Sequence, residues 1–459
     1  PRPHPTLPLD VPDKTAGGRA PRWFYHTPPP LPAWLLAGAD WISGGSPAVI
    51  QLLTPLALAI AFWSVWRLGC RLLSPAHALV ALLLLEGVTF FSFQAAEFNH
   101  NSVQLPLWGL AALACWQAVS RDRWRDWALL GLWAALAVYG KYFAGFLLLA
   151  LLLFLLLDPV ARRRWRGPGP WVAGAVCGVV LLPHLLALWR LDFLPLSYAM
   201  ERTAPAEGLL QRLWFPLEFA LAQALGVLGT LLALWLLPRG RDALLPAPAP
   251  DALARRFLLT VAFGPVLLVL AASLLLGAEF RALWGLPLWL FLPLGALALW
   301  PRRIALQGLL RGLAVVLLVG LGSLAFYLGY LAYPAMTGRV SRLDYPGPAL
   351  AEAAGEAWRR AAGERPLAFV AGPVWEAGNV AFYGSRDALV VIDGDLDKSY
   401  WLAPEELAAA GVLLVWPRGE DPRAWIRALE QQTGLVFDPA GEAVLAWQRG
   451  AGRVPPSAF

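Results

Sequence analysis

Long apolar stretches recur along most of the chain, separated by short charged connections. A helix needs about 20 apolar residues to cross the hydrocarbon core of a bilayer. Ten stretches approach that length: residues 47–66, 76–95, 103–119, 126–140, 142–157, 170–188, 214–237, 257–277, 283–300 and 306–330. The pattern predicts a polytopic α-helical membrane protein with a bundle of about ten helices over residues 47–332. The fourth and fifth stretches are short, which predicts tilt, partial burial or a break around Gly140 and Lys141.

The hydrophobic pattern changes after about residue 338. Residues 348–362 have helical periodicity, and a second helical stretch is expected near 421–432. The short β-type runs in this part are LAFVAG, NVAFY, ALVVI, GVLLVW and AVLAWQ. We therefore expect residues 338–459, ~120 residues, to form a small α/β domain outside the membrane.

A proline-rich acidic segment precedes the first span. Residues 9–34 read LDVPDKTAGGRAPRWFYHTPPPLPAW. Prolines at positions 28, 29, 30 and 32 fix φ and remove amide donors, which argues against a regular helix. Asp10 and Asp13 come just before this run. We expect residues 1–46 to form an acidic surface loop with interfacial helices.

Composition excludes several classes of protein. The chain is 58% hydrophobic and 15% charged, a composition that excludes a soluble domain of this length. Its net charge of +6 does not indicate binding to nucleic acid. The three cysteines fall in apolar spans, so they predict neither a disulfide framework nor a metal site.

Arginines sort the connections into two sets. Every second connection is basic, as the positive-inside rule expects of cytoplasmic loops. The arginines are Arg67, Arg71, Arg121, Arg123, Arg125, Arg162, Arg163, Arg164, Arg166, Arg239, Arg241, Arg255, Arg256, Arg302 and Arg303. This alternation predicts that the acidic N-terminal loop and the C-terminal domain share the non-cytoplasmic face of the membrane.

Two carboxylates could act as a base. A glycosyl transfer needs a group to take the acceptor's proton, and Asp10 or Asp13 could do so while the other orients it or holds a cation. The alternative is that both aspartates only cap a helix or form turns.

Two ionisable residues fall within or between apolar runs. Glu86 lies in LLLLEGVTFF, where an ionisable group is a functional hypothesis by default. The alternative is a structural hydrogen bond to a neighbouring helix. Lys141 could neutralise a lipid phosphate as a point charge, or its side chain could extend to the interface.

A polar cluster, Glu97-Phe98-Asn99-His100-Asn101, lies between two spans on the predicted outer face. It could bind sugar hydroxyls or one cation, or it could be a solvated loop cap. A divalent cation is thus one alternative, and no cofactor is otherwise indicated. Glu201 and Arg202 lie in a large outer loop and Arg281 opens the ninth span, where arginines suit phosphate contact.

One acidic motif in the C-terminal part is interpreted as structural. Asp393, Asp395 and Asp397 form an Asp-x-Asp pattern after a short β-type run. The pattern lacks the glycine and terminal glutamate that a calcium loop requires. We expect a charged turn.

Taken together, these segments resemble a known family. The acidic loop and proline run are followed by LLEGVTFFSFQAAEFNHNSVQLPLW, YGKYF, PHLLALWRLDFLPLSYAMER, RALWGLPLW and AGNVAFYGS. This order is similar to that of bacterial glycosyltransferase family 39, which is related to protein O-mannosyltransferases and lipid A aminoarabinose transferases. The resemblance runs from about Leu9 to the end and implies the GT-C fold.

The resemblance implies an inverting transferase that takes a sugar from a polyprenyl-phosphate donor on the periplasmic side. It matches Asp10 to the first-loop catalytic aspartate and Asp13 to an acidic position after it. Lys141 matches a lysine near the lipid phosphate, and the EFNHN cluster matches a polar loop that faces the sugar site. The acceptor would be a lipid, a glycan or a protein.

The sequence departs from the family pattern at two places. The family has a transmembrane helix before the acidic loop, and none is visible here ahead of Leu9. Pro28 stands where the family has a basic residue or histidine before Pro-Pro-Leu. Two rival functions stay open. A transporter or flippase of lipid-linked sugars would use the same intramembrane charges without a catalytic base, and an inactive scaffold for the C-terminal domain would fit the absence of a first helix.

Overall fold

A computed structural model describes residues 29–44, 46–92, 98–190, 193, 203, 205–337, 345–385, 387–439, 444–445 and 457–458. These residues fall into two compact units. The larger unit includes Gln51–Tyr327, and the smaller includes Pro32–Ile50 and the described residues from Leu328 onward.

α-Helices make up most of the described chain before residue 338. They are α1 Leu31–Ser43, α2 Pro47–Leu72, α3 Pro75–Leu85, α4 His100–Arg121, α5 Trp124–Gly140, α6 Gly145–Leu157, α7 Gly169–Arg190, α8 Leu209–Leu236, α9 Ala252–Leu276, α10 Leu292–Leu299 and α11 Leu306–Thr337. Short 3-10 segments lie at Thr89–Phe91, Tyr142–Ala144, Ala161–Arg166 and Ala282–Trp289. A two-stranded antiparallel ribbon pairs β1 Ala243–Leu245 with β2 Ile304–Ala305.

Six described helices are long and apolar enough to cross a membrane: α2, α4, α7, α8, α9 and α11. A seventh candidate is the pair formed by the 3-10 segment Ala282–Trp289 and α10, which is bent by 57°. α3 and the segment Tyr142–Leu157 are shorter apolar helices, and α5 has 17 residues. The chain therefore contains broken and short helices where hydropathy alone predicts continuous spans.

The stretch at 76–95 is predicted to be one continuous span, and the structure corrects this, because α3 ends at Leu85. There the Thr230 hydroxyl of α8 donates to the Leu84 carbonyl over 2.8 Å. A Cβ on Gly87 would lie 2.9 Å from that hydroxyl oxygen, so only glycine fits this approach. Tertiary packing therefore coincides with the end of a helix whose sequence is apolar on both sides.

The proline segment needs a smaller correction. Pro29 and Pro30 lie outside helical structure, whereas Pro32 is the second residue of α1. Proline is tolerated in the first turn of a helix, since the amides there have no intrahelical acceptor. The end of the predicted loop is thus the start of a helix.

The C-terminal part of the smaller unit contains a parallel sheet. Its elements are α12 Gly347–Ala362, β3 Phe369–Gly372, α13 Val374–Tyr383, β4 Leu389–Ile392, α14 Pro404–Ala410, β5 Leu413–Leu414 and α15 Arg423–Thr433, with a separate antiparallel pair β6 Val444–Leu445 and β7 Ser457–Ala458. β3 lies between β4 and β5, and both pairings are parallel. Val370 packs in one apolar layer and Val391 in the other, so both faces of the sheet are covered.

The run NVAFY was predicted as a strand and lies instead in α13. Ala377, Val380 and Ala381 are all buried, and their spacing of three and four residues places them on one helix face. The apolar layer against the sheet needs a helix there. The short run was compatible with either structure, and its flanks did not decide between them.

The Asp-x-Asp motif forms a charged turn after β4. The Lys398 ammonium donates to Asp393 over 2.6 Å, while Asp395 accepts from the backbone amides of Asp397 and Lys398 at 2.8 and 3.3 Å. These bonds hold Asp393 and Asp395 in a charged turn, which is what the sequence predicts for this motif.

Glu376, in the first turn of α13, makes the stability of this part pH-dependent. The side chain is buried, and its burial, with the charges of Glu420 and Asp393 nearby, raises its pKa from 4.5 to about 7. The buried carboxyl is stable when protonated, so the stabilisation is complete below about pH 4.5 and is lost as the pH rises through about 7. We expect amide exchange in α13, corrected for its intrinsic pH dependence, to accelerate roughly a hundredfold across that range.

Glu376→Gln should remove that pH dependence, whereas Glu352→Gln, at an exposed position of α12, should leave it intact. Equal pH dependence in the Glu376→Gln protein and the parent would contradict this account.

Candidate functional site

The candidate site is built where the chain breaks between two helices. α5 ends at Gly140, and Lys141 adopts an extended backbone with φ −171° and ψ 140°. A 3-10 turn, Tyr142–Ala144, then leads into α6. The break predicted from the short spans is therefore present, and it directs the Lys141 side chain away from both helix axes.

The Lys141 ammonium is held by one polar and two aromatic groups. It donates to Oδ1 of Asn101 over 2.7 Å. Its Nζ lies 4.6 Å from the ring centroid of Trp284 and 5.7 Å from that of Phe143. Aromatic faces attract a cation, more strongly as the site loses water. These three contacts stabilise the charge and orient the ammonium.

The polar cluster begins α4. Asn99 is the N-cap: its side chain accepts from the amides of Asn101 and Ser102 at 2.8 and 3.2 Å, and Ser102 Oγ accepts from the Asn99 amide at 3.0 Å. This capping box fixes the first turn, with His100 buried and Asn101 facing Lys141. A helix N-terminus carries partial positive charge, so two sources of positive potential meet at Asn101.

Among the described residues, four aromatic rings line this site and form its aromatic wall: Phe143, Phe146, Phe280 and Trp284. Phe143 packs against Phe146 and Phe280 with centroid distances of 5.0 and 6.1 Å, and Phe280 lies 6.3 Å from Trp284. Gln223 of α8 fixes the segment that carries Trp284, because it donates to the Ala282 carbonyl and accepts from Trp289, both at 2.8 Å. The surroundings of the ammonium are therefore largely aromatic and are held in place by hydrogen bonds.

An apolar groove, lined by α8, α9, α10 and their connections, starts beside this wall. Its volume is about 540 Å³, and Phe219 lines one end. The Phe219 ring is 6.3 Å from Phe280, so the groove begins one ring away from the aromatic wall. From Phe219 to Trp235 it follows α8 for sixteen residue steps, about 24 Å at ~1.5 Å per residue. That length approaches the thickness of a bilayer's hydrocarbon core.

The structure brings some of the predicted site residues together and not others. The structure brings Lys141 together with Asn99, His100 and Asn101. Arg281 is exposed, and its carbonyl accepts from the Trp284 amide over 2.9 Å, so it begins the segment that packs on Lys141. Glu86 is exposed at the C-cap of α3. Asp10, Asp13, Glu97, Glu201 and Arg202 lie outside the described residues, and their roles stay predictions.

The sequence did not identify the aromatic part of the site. Trp284, Phe280 and Gln223 were assigned no role, although RALWGLPLW was among the segments that resemble the family. Their signal is weak because aromatic residues are common in this chain, and only the tertiary arrangement shows two aromatic rings beside one lysine. Within the described part of the chain no three His, Cys, Asp or Glu side chains could hold a metal ion, and the cation alternative stays a prediction.

Part of the chain matches a known protein family and a curated relative. Residues 27–187, which include Lys141 and the polar cluster, match the family described as dolichyl-phosphate-mannose-protein mannosyltransferase. The chain is also 29% identical over 232 residues to undecaprenyl phosphate-alpha-4-amino-4-deoxy-L-arabinose arabinosyl transferase 1 of Pseudomonas fluorescens (strain Pf0-1). That match covers 46% of this chain and 40% of the relative, so it spans less than half of the relative's length.

Among solved structures, the fold is similar to that of ArnT from Cupriavidus metallidurans bound to undecaprenyl phosphate. The TM-score is 0.56 at 14% identity, over 98% of this chain and 94% of that one. The apo structure of the same protein gives a TM-score of 0.48 at 15% identity, over 87% and 73%. The expected fold class is confirmed: the chain has a multi-pass helical membrane fold of the GT-C type. The expected resemblance to family 39, aminoarabinose transferase-like proteins is confirmed by these matches.

Loss of the N-cap should loosen the site before it affects the rest of the bundle. Asn99→Ala removes the acceptor for two amides of α4, which costs about 1 kcal/mol. We expect hydrogen exchange of the Asn101 and Ser102 amides to accelerate roughly fivefold, with exchange in α8 unchanged. Asn101→Ala removes a neighbouring amide side chain without removing the cap and serves as the control. Equal protection of these two amides in the Asn99→Ala protein and the parent would show that the capping box does not hold this turn.

Proposed function

We propose that the chain is a membrane glycosyltransferase that moves a sugar from a polyprenyl-phosphate donor to a periplasmic acceptor with inversion. One observation supports this most directly: a lysine ammonium is held at the N-terminus of α4, beside aromatic rings that lead to a long apolar groove. A donor of this kind has one charged group between a sugar and a long hydrocarbon chain, and the site offers a complement to the charge and to the chain.

Lys141 is assigned to the donor phosphate. An ammonium and the positive end of a helix stabilise negative charge, and that charge grows on the phosphate as the bond to the sugar breaks. Stabilisation that increases toward the transition state lowers the barrier for transfer. Arg202 and Arg281 are assigned as further phosphate contacts, and Arg281 lies next to Phe280 in the aromatic wall.

The reaction needs a base as well as a leaving group. In the proposed step, the acceptor hydroxyl oxygen attacks the anomeric carbon while its proton passes to the Asp10 carboxylate. The bond from that carbon to the phosphate oxygen breaks, and its electron pair leaves with polyprenyl phosphate. Asp13 would orient Asp10 or hold a cation. Attack on the face opposite the phosphate inverts the anomeric carbon.

The polar residues of the α4 turn are assigned to the sugar. Asn99, His100 and Asn101, with Glu97 before them and Glu201 of the outer loop, offer donors and acceptors to hydroxyl or amino groups of a donor or acceptor sugar. Glu86 is kept as an intramembrane polar position without an assigned step. The curated relative is named as an aminoarabinose transferase, and for this chain the acceptor class is a lipid, a glycan or a protein.

The orientation is inferred from the arginines. Every second connection is basic, so the positive-inside rule places the acidic N-terminal loop and the Lys141 break on the periplasmic side. The ten predicted stretches are an even number of spans, so the chain would return to the periplasmic side and the C-terminal domain would lie there. Lipid-linked sugars are presented to such a site from the outer leaflet of the inner membrane.

Asp10→Asn should lower the rate of transfer by about 10²- to 10⁴-fold with little change in donor affinity, because general-base catalysis contributes about that much. The measurement is release of polyprenyl phosphate by purified protein given polyprenyl-phosphate sugars and envelope lipid or glycan acceptors. Asp397→Asn, at an exposed turn of the C-terminal part, is the matched control. Transfer by the Asp10→Asn protein at the parent rate would remove Asp10 as the base. Lipid translocation without any transfer by the parent protein would favour a flippase instead.

Lys141→Gln should weaken binding of polyprenyl phosphate by about ten- to a hundredfold, since a charge-assisted contact contributes about 1.5–3 kcal/mol. Lys141→Arg keeps the charge but not the compact geometry, so we expect it to restore only part of the affinity. Binding to purified protein is measured without an acceptor, with Lys398→Gln as the control. Parent-like affinity in the Lys141→Gln protein would refute this assignment.

A further inference from the structure

The apolar groove has a second end, far from Lys141, and that end is basic. Its walls there include Trp235 of α8 and Trp300, Arg302 and Arg303 of the connection between α10 and α11. None of the described residues that line the groove is a carboxylate. The proposed transferase reaction gives no role to these arginines, which line the groove with Trp235, sixteen residues along α8 from Phe219.

The far end is held in place by backbone hydrogen bonds. The β1–β2 ribbon joins the connection after α8 to the one before α11. Arg303 donates to the carbonyls of Gly240 and Arg241 at 2.9 and 3.0 Å. Arg239 stacks over Trp235, with its guanidinium carbon 3.2 Å from the ring centroid. The positive charges are therefore set at fixed places around the mouth of the groove.

Arg302 differs from its neighbours in having its guanidinium available. It is exposed, and it makes no hydrogen bond or ion pair with any residue that the structure describes. Arg303 beside it keeps N–H groups beyond the two that the carbonyls use. Two adjacent guanidinium groups at the mouth of an apolar groove are complementary to a phosphate that carries hydrocarbon chains.

We propose that the far end of the groove binds an anionic phospholipid, with its phosphate on Arg302 and Arg303 and an acyl chain along the apolar walls. About 24 Å of groove exceeds the hydrocarbon depth of one leaflet, ~15 Å, so such a lipid fills only part of its length. Trp235 and Trp300 lie at the mouth, where amphipathic aromatic rings suit the headgroup level. With the orientation inferred above, the lipid comes from the cytoplasmic leaflet. This site goes beyond the transferase activity and does not depend on it.

A plain alternative is that these arginines only follow the positive-inside rule and select no lipid. The two explanations differ in chemistry. A general basic surface attracts any anion and loses little when one exposed arginine is removed. A groove with a phosphate site requires both an acyl chain and a negative headgroup, and it depends on Arg302 more than on an arginine outside the groove.

Native mass spectrometry of the purified full chain tests this, with phosphatidylglycerol, phosphatidylcholine and glycerol phosphate as probes and no sugar donor. We expect phosphatidylglycerol to bind at least fivefold more tightly than phosphatidylcholine, and excess glycerol phosphate to displace little of it. Arg302→Gln should weaken binding of phosphatidylglycerol about fivefold, because a basic residue near an anionic lipid contributes ~1 kcal/mol. Arg163→Gln, at an exposed position outside the groove lining, should leave binding unchanged.

A second variant tests the chain-binding wall. Ala224 is exposed and lines the groove, and Ala224→Phe should reduce binding of phosphatidylglycerol by filling that space. Equal binding of the two phospholipids, or an equal effect of Arg302→Gln and Arg163→Gln, would overturn the proposal. Lys141→Gln should not alter phosphatidylglycerol binding, so failure of the donor assignment and failure of this site would be told apart.

Discussion

The need to stabilise one ammonium between two apolar helices organises the larger unit. An unpaired charge within the hydrocarbon costs several kcal/mol, so a lysine is kept there only with partners. Here its partners include the side-chain oxygen Oδ1 of Asn101 at 2.7 Å and the rings of Trp284 and Phe143. Each comes from a different segment of the chain. The break after Gly140, the cap on α4 and the Gln223 bonds that fix the Trp284 segment all serve this one contact.

The same contact defines what the site can bind. The ammonium and the N-terminus of α4 both contribute positive potential at this place. Aromatic rings lead from the ammonium through Phe280 and Phe219 to the groove. Such a site is complementary to a molecule with one anionic group and a long apolar chain. The family match covers the same lysine and polar cluster.

Periodicity and hydropathy predicted much of the architecture, because burial in lipid or in a core leaves a direct record in the sequence. Each of the ten predicted stretches contains a helix, and the helices expected at 348–362 and 421–432 are present. The predictions that were wrong concern features that depend on contacts between distant segments. The end of α3 at Leu85 coincides with packing against Thr230, and the run NVAFY is helical because α13 must cover a sheet face. A local window of sequence contains neither fact.

In the site, too, single residues could be predicted from the sequence but their contacts could not. Lys141 and the polar cluster stood out because charged and amide residues are rare among apolar spans, but nothing in the sequence paired Lys141 with Asn101 across 40 positions. Trp284 and Phe280 gave no signal, since aromatic residues are frequent in this chain. Asp10 was identified through the family resemblance rather than through its surroundings, and its role remains a prediction.

The most direct test of the central claim is a cryo-electron microscopy structure of the full chain with polyprenyl phosphate. The account predicts phosphate density within about 3 Å of the Lys141 Nζ atom, a hydrogen-bonding distance, with the first isoprene units passing the aromatic wall. A well-defined phosphate bound elsewhere, with Lys141 still on Asn101 and Trp284 and no lipid beside it, would contradict the account.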